Sequence, residues 1–279
     1  MKPLFAVQVT DRHELELHKT IDALKNVGLD YETFGLIAFT DDITNLDAFP
    51  TDRPVIPICG TKLLNMYLRG LVPDNWQMFY DRTEFDQSFY SPIYGEYLLN
   101  HGAEYWPYWK IADQVLTEAR FIKPVDDGKS FAGLIVESGQ SLNEALEKQT
   151  TQFFDERDMV LVAPVQNLGR EWRMFIVDGD IIDISEYRDH GRVKAKETPP
   201  EVQDMLRSYY RSNFRHKRKI DSYVMDVAEI FPHSHLATPE ESGREFRIVE
   251  LNCLNCSGAY KIDLEAVYSA LAISSGDWL

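Results

Sequence analysis

The sequence predicts an α/β fold (α+β lobes), with an N-terminal α/β region followed by a second half of short strands. Three observations predict it: an opening strand–helix–strand pattern, a series of short apolar strands in the second half, and a closing amphipathic segment. A chain of 279 residues with 44% hydrophobic content is long enough to bury a core.

The first domain begins with a strand, a helix and a second strand. Helical spacing from Leu17 to Leu24, closed by Gly28, indicates a helix after the first strand. This order is typical of a parallel sheet, and Gly60 marks the start of another helix. The predicted strands are residues 5–9, 34–39 and 55–59.

Aromatic residues crowd the chain between residues 76 and 109. They follow no single period and are interspersed with acidic residues. Aromatic side chains bury a large area, so core packing between lobes is favoured over stacking on a base. We assign these rings no chemistry.

The second half alternates short strands with turns. Asp178 and Gly179 lie between two apolar runs and predict a hairpin, because both central turn residues need a positive φ. Leu264 and Leu271 bound an amphipathic closing helix, and residues 232–243 resemble a linker. The predicted strands are residues 119–123, 159–163, 172–177, 181–184, 224–228 and 247–251.

The formal net charge is −16, with a sequence pI near 4.8. A field of this sign repels nucleic acid and anionic lipid, so neither is expected as a whole-surface partner. The sequence has no long apolar run and no secretory start, so no membrane association is expected. We expect a cytoplasmic protein, and the sequence does not indicate its oligomeric state.

Cysteines and histidines form two short motifs. Cys253 and Cys256 make a C-x-x-C. Cys59 is the only other cysteine in the sequence, so there is no second pair, and we favour small packed side chains over metal or redox chemistry. His233 and His235 provide two ligands, which do not make a zinc site.

Three polar residues stand out on two apolar strands. Side chains alternate along a strand, so Glu250 and Asn252 face one side. Asp226 interrupts an apolar strand, where a carboxylate needs a cation or several donors. These hard oxygen ligands suit Mg²⁺, while ordinary capping and salt bridging remain the alternative.

Cationic side chains near strand ends provide a second signal. Lys123 ends an apolar strand, and the turn after it could direct backbone N–H groups at a phosphate, unless the segment is a surface hairpin. Arg173 lies two residues after Glu171, on the same face. An arginine there can hold a carboxylate or phosphate, whereas pairing with Glu171 alone would be structural.

The order of these elements resembles the ATP-grasp superfamily over roughly residues 121–260. The shared features are Lys-Pro before a small loop, a G-R-E-x-R element, an isolated strand aspartate, and E-L-N followed by Ser-Gly. The chain looks most like small bacterial and phage ATP-grasp proteins predicted to ligate amino acids or peptides. The resemblance implies a pre-ATP-grasp domain at residues 1–112, followed by an ATP-grasp domain at residues 113–279. Its two lobes, residues 113–165 and 166–279, would grip ATP.

The resemblance also implies ATP and Mg²⁺ as cofactors. It implies that Lys123 and Arg173 are catalytic, that the loop at residues 126–131 covers the phosphates, and that Asp226, Glu250 and Asn252 bind the metal. The hinge carries no acidic ribose contact, which leaves that role to Gln166, to Asn167 or to backbone groups. The implied nucleotide contacts are Lys123, Lys129, Ser130, Val162, Ala163, Gln166, Glu171 and Arg173. The implied substrate contacts are Arg188, Arg192, Lys194 and Ser257.

The implied reaction is carboxylate–amine ligation through an acylphosphate, with release of ADP and phosphate. Its partners would be a small molecule or peptide with a carboxylate, and an amine acceptor. The alternatives are a small-molecule kinase with the same Mg-ATP site and a non-catalytic ATP-binding regulator. Basic stretches at residues 188–196 and 211–219 could attract an anionic substrate or form a solvated face. Nearby Tyr209, Tyr210 and Phe214 permit RNA stacking, which the net charge disfavours.

Overall fold

This computed structural model describes residues 2–9, 14–125, 130–147, 155, 157–215, 218–231 and 245–275. These residues form three β-sheets, eight α-helices and three short 3-10 helices. The linker-like stretch, His233, His235 and Lys129 lie outside these described residues. Within them, no helix combines the length and apolar character needed to cross a membrane.

The first sheet is built around two parallel strand pairs. Its strands are β1 (Leu4–Gln8), β2 (Tyr31–Leu36), β3 (Ile43–Thr44) and β4 (Val55–Ile58), in the order β3-β2-β1-β4. β1 pairs in parallel with β2 and β4, as predicted. Helix α1 (Glu14–Asn26) ends before Gly28, whose φ of 68° is left-handed, and α2 (Thr61–Leu68) follows Gly60.

The second predicted strand was placed three residues too late. β2 starts at Tyr31 and ends at Leu36, where the chain turns and Ile37 N donates to Asp42 O. Phe39 takes a φ of 63° in this turn and is fully exposed. Its apolar character suggested a strand, but a left-handed residue cannot continue one.

The aromatic region folds into short helices, α3 (Arg82–Phe85) and α4 (Gln87–Tyr94). Asp81 and Asp86 cap them by accepting from backbone N–H groups. Tyr94 is buried, with its ring 5.4 Å from that of Phe214 in the second lobe. Tyr80, Phe85, Tyr90 and Tyr94 are buried in one core with residues of the second lobe, as predicted, whereas Phe89 is 43% and Trp109 61% exposed.

The second sheet forms the first lobe. Its strands are β5 (Glu104–Pro107), β6 (Arg120–Pro124), β7 (Leu134–Val136) and β8 (Met159–Pro164), all antiparallel, in the order β5-β8-β6-β7. Helices α5 (Tyr108–Ile111) and α6 (Leu142–Leu146) contribute to its core. β5 precedes residue 113, the predicted start of the first lobe, and pairs with β8 of this sheet.

The third sheet forms the second lobe. Its strands are β9 (Leu168–Val177), β10 (Asp180–Asp189), β11 (Arg192–Glu197), β12 (Tyr223–Ile230) and β13 (Glu245–Asn252), antiparallel in the order β11-β10-β9-β12-β13. The predicted hairpin is confirmed, with φ of 51° at Asp178 and 75° at Gly179. Helices α7 (Pro200–Asn213) and α8 (Leu264–Ser274) pack against this sheet.

The two faces of this sheet bury different cores. Trp172 and Met174 join the aromatic cluster with residues of α7. Phe175, on the opposite face, packs with Leu271 of α8 and Phe5 of β1. The N-terminal sheet and the second lobe therefore share one core, which fixes their relative position.

Candidate functional site

A cleft of about 900 Å³ lies between the sheets of the two lobes. Its volume is in the range of small-molecule and cofactor sites. Lys123 and Phe121 of β6 line it from the first lobe, opposite strands β9, β12 and β13 of the second. The charged side chains that line it are Lys123, Glu171, Arg173, Arg188, Asp226 and Glu250.

Arg173 and Asp226 form a buried, two-pronged ion pair in this cleft. Arg173 Nε donates to Asp226 Oδ1 at 2.8 Å, and Arg173 Nη2 donates to Asp226 Oδ2 at 2.7 Å. Arg173 Nη1 donates to Gly258 O at 3.1 Å, and Asn252 Nδ2 donates to Asp226 Oδ2 at 3.2 Å. Burial acts to lower the pKa of Arg173, but the charge and hydrogen bonds of Asp226 outweigh it and raise that pKa above its ordinary value.

Strand register explains this convergence. Asp226 is opposite Arg173 on β9 and opposite Glu250 on β13, so three neighbouring strands each bring one charged side chain to the same place. Glu250 Oε2 in turn lies 3.2 Å from Lys123 Nζ, which comes from the first lobe. This contact is an ion pair that joins the two lobes across the cleft.

Glu171 is a nearly fully buried carboxylate beside this group. The Tyr187 hydroxyl donates to Glu171 Oε2 at 2.9 Å, and Arg188 Nη1 lies 3.9 Å from Glu171 Oε1. Burial raises the pKa of Glu171, and the Tyr187 hydrogen bond offsets only part of the effect. Burial and nearby carboxylates raise the pKa of Tyr187, which keeps its hydroxyl protonated as a donor.

Two stacked tyrosines cover the guanidinium of Arg173. The rings of Tyr187 and Tyr260 are 5.1 Å apart, and the Arg173 guanidinium lies 5.3 Å and 5.2 Å from their centroids. Tyr260 has a φ of 54°, which is rare for an aromatic residue. Sequence reasoning missed Tyr260, because a lone tyrosine after Ser-Gly carries no chemical pattern of its own.

The structure brings most of the predicted nucleotide contacts to the cleft. Its lining includes Lys123, Ser130, Gln166, Glu171 and Arg173. Ala163 is buried beside Val125 and Leu161 in the core below the cleft.

Val162 does not reach the cleft. It alternates with Ala163 along β8, so its side chain lies on the opposite face and lines a separate cavity of about 300 Å³ with Trp106 and Arg120. The resemblance implied nucleotide contacts for both Val162 and Ala163, but adjacent residues of a strand face opposite sides of the sheet.

The predicted substrate residues separate in the same way. Arg188 lines the cleft, helped by a register shift between Glu186 and Arg188 that pairs Arg188 with Val193. Arg192 and Lys194, on either side of Val193, therefore project to the other face of the sheet, and the structure does not bring them to the cleft.

Ser257 does not line the cleft either. Its Oγ donates to Cys253 O at 2.8 Å, which ties the hydroxyl to its own turn.

The second basic stretch divides in the structure. Arg211, Arg215 and Lys219 are exposed, as expected for a solvated face, whereas Arg218 is not. Arg218 is buried, its guanidinium 5.0 Å from the ring centroids of Phe85 and Tyr223, and its Nη2 donates to Glu84 O at 2.7 Å. Tyr210 and Phe214 are each 1% exposed, so these rings are not available to stack on RNA bases.

The oxygen ligands predicted for a metal lie together. Asp226 and Asn252 are in hydrogen-bond contact, and Glu250 is the cross-strand neighbour of Asp226. A carboxylate oxygen can accept more than one partner, so Asp226 and Glu250 can bind a cation in addition to their contacts with Arg173 and Lys123. In the described part of the chain, no three His, Cys, Asp or Glu side chains lie close enough together to hold a metal ion by themselves. The donor set thus requires the Asn252 amide and non-protein oxygens, which fits Mg²⁺.

The architecture matches solved ATP-grasp structures along nearly the full chain. A RimK domain ATP-grasp protein from Sphaerobacter thermophilus aligns with a TM-score of 0.56 at 11% identity, covering 96% of this chain and 99% of that chain. The D-alanine–D-alanine ligase of Bacillus anthracis gives 0.58 at 13%, covering 98% and 97%. The D-alanine–D-alanine ligase of Coxiella burnetii gives 0.56 at 14%, covering 99% and 97%. The fold is therefore that of the ATP-grasp class.

A match to a protein-family model identifies the family within the ATP-grasp class. Residues 107–270 match the family model described as ATP-grasp domain, R2K clade family 2, and this match spans more than half of the 279 residues. The chain belongs to that family. Comparison with curated proteins gives no match. The predicted ATP-grasp membership and α/β fold are both confirmed.

Proposed function

We propose that this protein is an ATP-dependent carboxylate–amine ligase that forms an amide or peptide bond through an acylphosphate. One observation carries the proposal: Lys123 of the first lobe meets Glu250 of the second at 3.2 Å, beside the Arg173–Asp226 pair, in a 900 Å³ cleft. This arrangement suits a nucleotide held between two lobes. ATP-grasp family membership and the likeness to two D-alanine–D-alanine ligases support it.

In the proposed reaction, a carboxylate oxygen attacks the γ-phosphorus of ATP and ADP leaves. An amine nitrogen then attacks the acyl carbon, phosphate leaves and the nitrogen loses a proton. Such chemistry depends mainly on alignment and charge stabilisation. We assign Lys123 to the nucleotide phosphates, where phosphate oxygens replace Glu250 as its partner.

Asp226, Glu250 and Asn252 would hold Mg²⁺, which when bound neutralises charge on the phosphates. Arg173 already donates to Asp226 and to Gly258 O, so we assign it the positioning of Asp226. Arg188 is the cleft cation that we assign to the substrate carboxylate, because its carboxylate neighbour is 3.9 Å away, beyond hydrogen-bond distance.

We further propose that the chain works as an N-terminal pre-ATP-grasp domain (1–112), a first lobe (113–165) and a second lobe (166–279), with β5 added to the first lobe. Its partners would be a small-molecule or peptide carboxylate and an amine, and its cofactors ATP and Mg²⁺.

The test is an ADP-release screen over paired amino acids and peptides, with mass spectrometry of the products. An amide product that requires both partners supports a ligase. A stable phosphoester on one acceptor indicates a kinase, and nucleotide binding without turnover indicates a regulator. Either result would overturn the ligase proposal.

A matched pair of variants then tests the metal assignment. Glu250→Gln removes one carboxylate charge from the cleft and should lower Mg²⁺-dependent ADP release by at least about 100-fold. Glu245→Gln makes the same change at the far end of β13, where the side chain pairs with Arg247, and should leave the rate unchanged. Equal rates in the two variants would remove Glu250 from the site.

A further inference from the structure

Two cysteines that are far apart in sequence meet at the junction of the N-terminal sheet and the second lobe. Cys59 follows β4, and Cys256 ends the short 3-10 turn Leu254–Cys256 after β13. They are separated by 197 positions in the chain, yet their Sγ atoms are 3.6 Å apart. The strand that leads into this turn carries Glu250 and Asn252.

The backbone around the two thiols is held in place by one asparagine. Cys59 N donates to Asn255 O at 2.9 Å. The buried Asn255 side chain donates to Pro57 O at 2.8 Å and to Gln77 O at 3.1 Å, and accepts from Phe79 N at 2.7 Å. These bonds fix the two chain segments relative to each other, so the thiols have a high effective concentration for reaction with one another.

We propose that Cys59 and Cys256 form a redox modification site, in which a peroxide converts the thiol pair into a disulfide. Both side chains are partly exposed, so an oxidant can reach them. The third cysteine, Cys253, is fully buried with its Sγ 3.6 Å from Asn255 Oδ1, which makes it an internal control.

A metal site is a poorer account of the same pair. Two thiols provide half of the four ligands that a structural zinc site needs. The described residues contain no group of three His, Cys, Asp or Glu that could hold a metal. Two adjacent thiols with no further ligand among the described residues are therefore better suited to forming a disulfide than to binding a metal.

The reaction balances with one peroxide. The thiolate of one cysteine attacks a peroxide oxygen, the O–O bond breaks, and a sulfenic acid and one water form after protonation. The second thiol sulfur attacks the sulfenic sulfur, the S–O bond breaks and a second water leaves. The two thiols lose two electrons in total, and hydrogen peroxide is reduced to two waters.

The disulfide would fasten the N-terminal sheet to the turn after the metal-ligand strand. Closing a loop of this length restricts the unfolded chain strongly, so the oxidised form should melt at a higher temperature, by about 5 °C or more. Gly258, whose carbonyl accepts from Arg173, lies two residues after Cys256. The disulfide would thus anchor the segment that contacts Arg173 in the proposed catalytic cleft. Formation of the disulfide does not depend on catalytic turnover.

The experiment treats the purified full chain with hydrogen peroxide, blocks the remaining thiols by alkylation and maps peptides without reduction. We expect a peptide pair linked through Cys59 and Cys256, a mass loss of about 2 Da for two hydrogen atoms, a raised Tm, and reversal of all three by dithiothreitol. Cys253→Ser should start from a lower Tm because Cys253 is buried, but it should keep both the link and the Tm rise. Cys59→Ser and Cys256→Ser should lose both.

Three results would overturn the proposal: a link through Cys253, oxidation of Cys59 and Cys256 to unlinked acids, or a Tm rise that persists in Cys59→Ser. None of these measurements involves ATP, so the failure of this inference and the failure of the ligase proposal are separate outcomes.

Discussion

Arg173 and Asp226 face each other on neighbouring strands and share two hydrogen bonds, of 2.8 Å and 2.7 Å. Both side chains are buried, and Gly258 and Asn252 provide further hydrogen bonds to the pair. A buried ion pair is tolerated when its geometry is good and its remaining polar atoms are satisfied. The pair therefore holds the Asp226 carboxylate in one orientation, next to Glu250 and Lys123.

Removing Arg173 should leave Asp226 as an uncompensated buried charge. We expect Arg173→Met to lower the free energy of unfolding by about 3–5 kcal/mol, measured by urea denaturation. Asp226→Asn alone should also destabilise the protein. The double variant should lose much less than the sum of the two single losses, and strictly additive losses would contradict a coupled pair.

Replacing Lys123 should weaken nucleotide binding. Lys123→Ala removes a charge-assisted contact worth about 1.5–3 kcal/mol, which corresponds to an affinity for ATP lower by about 10- to 150-fold in calorimetry. Arg120→Ala is the matched control, because Arg120 lies on the same strand but lines the other cavity. Equal ATP affinities for the two variants would exclude Lys123 from the nucleotide site.

Glu171 should make stability fall as pH rises. Burial raises its pKa, so the folded state keeps a proton that the unfolded state loses above about pH 4.3. Stability is lost as pH rises from that value through the raised pKa and stays lower above it. Glu171→Gln removes this loss and still accepts from Tyr187, so its Tm should exceed that of the wild type at pH 7.

The Tm advantage of Glu171→Gln should shrink as pH falls towards 4. The comparison is a series of melting curves between pH 4 and pH 8. Glu118→Gln, at an exposed position, should show no such trend. A Tm difference for Glu171→Gln that does not vary with pH would argue against burial as the dominant influence.

Gly133 gives the cleft wall its shape. An added Cβ would lie 2.8 Å from Phe121 Cζ and 3.2 Å from Lys123 Cβ. Gly133→Ala should therefore cost about 1–3 kcal/mol of stability through overpacking and should weaken ATP binding, because both neighbours line the cleft. Adding Phe121→Leu, which removes the ring, should restore much of the loss, and a neutral Gly133→Ala would contradict the close contact.

Local patterns in the sequence predicted much of the fold. Short apolar runs identified most strands, and the Asp178-Gly179 hairpin followed from the need for positive φ. The apolar run around Asp226 predicted that its carboxylate would be buried in a strand, which it is at 0% exposure. These features depend on neighbouring residues, so a single sequence contains them.

Long-range contacts were beyond the reach of such patterns. Arg173 was expected to meet a phosphate or carboxylate of a ligand, or to pair with Glu171, but its partner is Asp226, 53 residues away on the next strand. Arg192 and Lys194 were expected beside Arg188, and a register shift in β10 turns them to the other face. The periodicity of a single segment indicates neither which strand will lie beside it nor where a bulge will shift the register.

By itself, the sequence determined the order of strands and helices and the residue types that could bind a nucleotide and a metal, because side-chain period and turn chemistry are local. Only the tertiary structure decided which of these residues share the cleft. It paired Arg173 with Asp226, joined Lys123 to Glu250 across two lobes, and brought Cys59 to Cys256. Those meetings follow from strand register and from the packing of three sheets, which no single segment of the chain specifies.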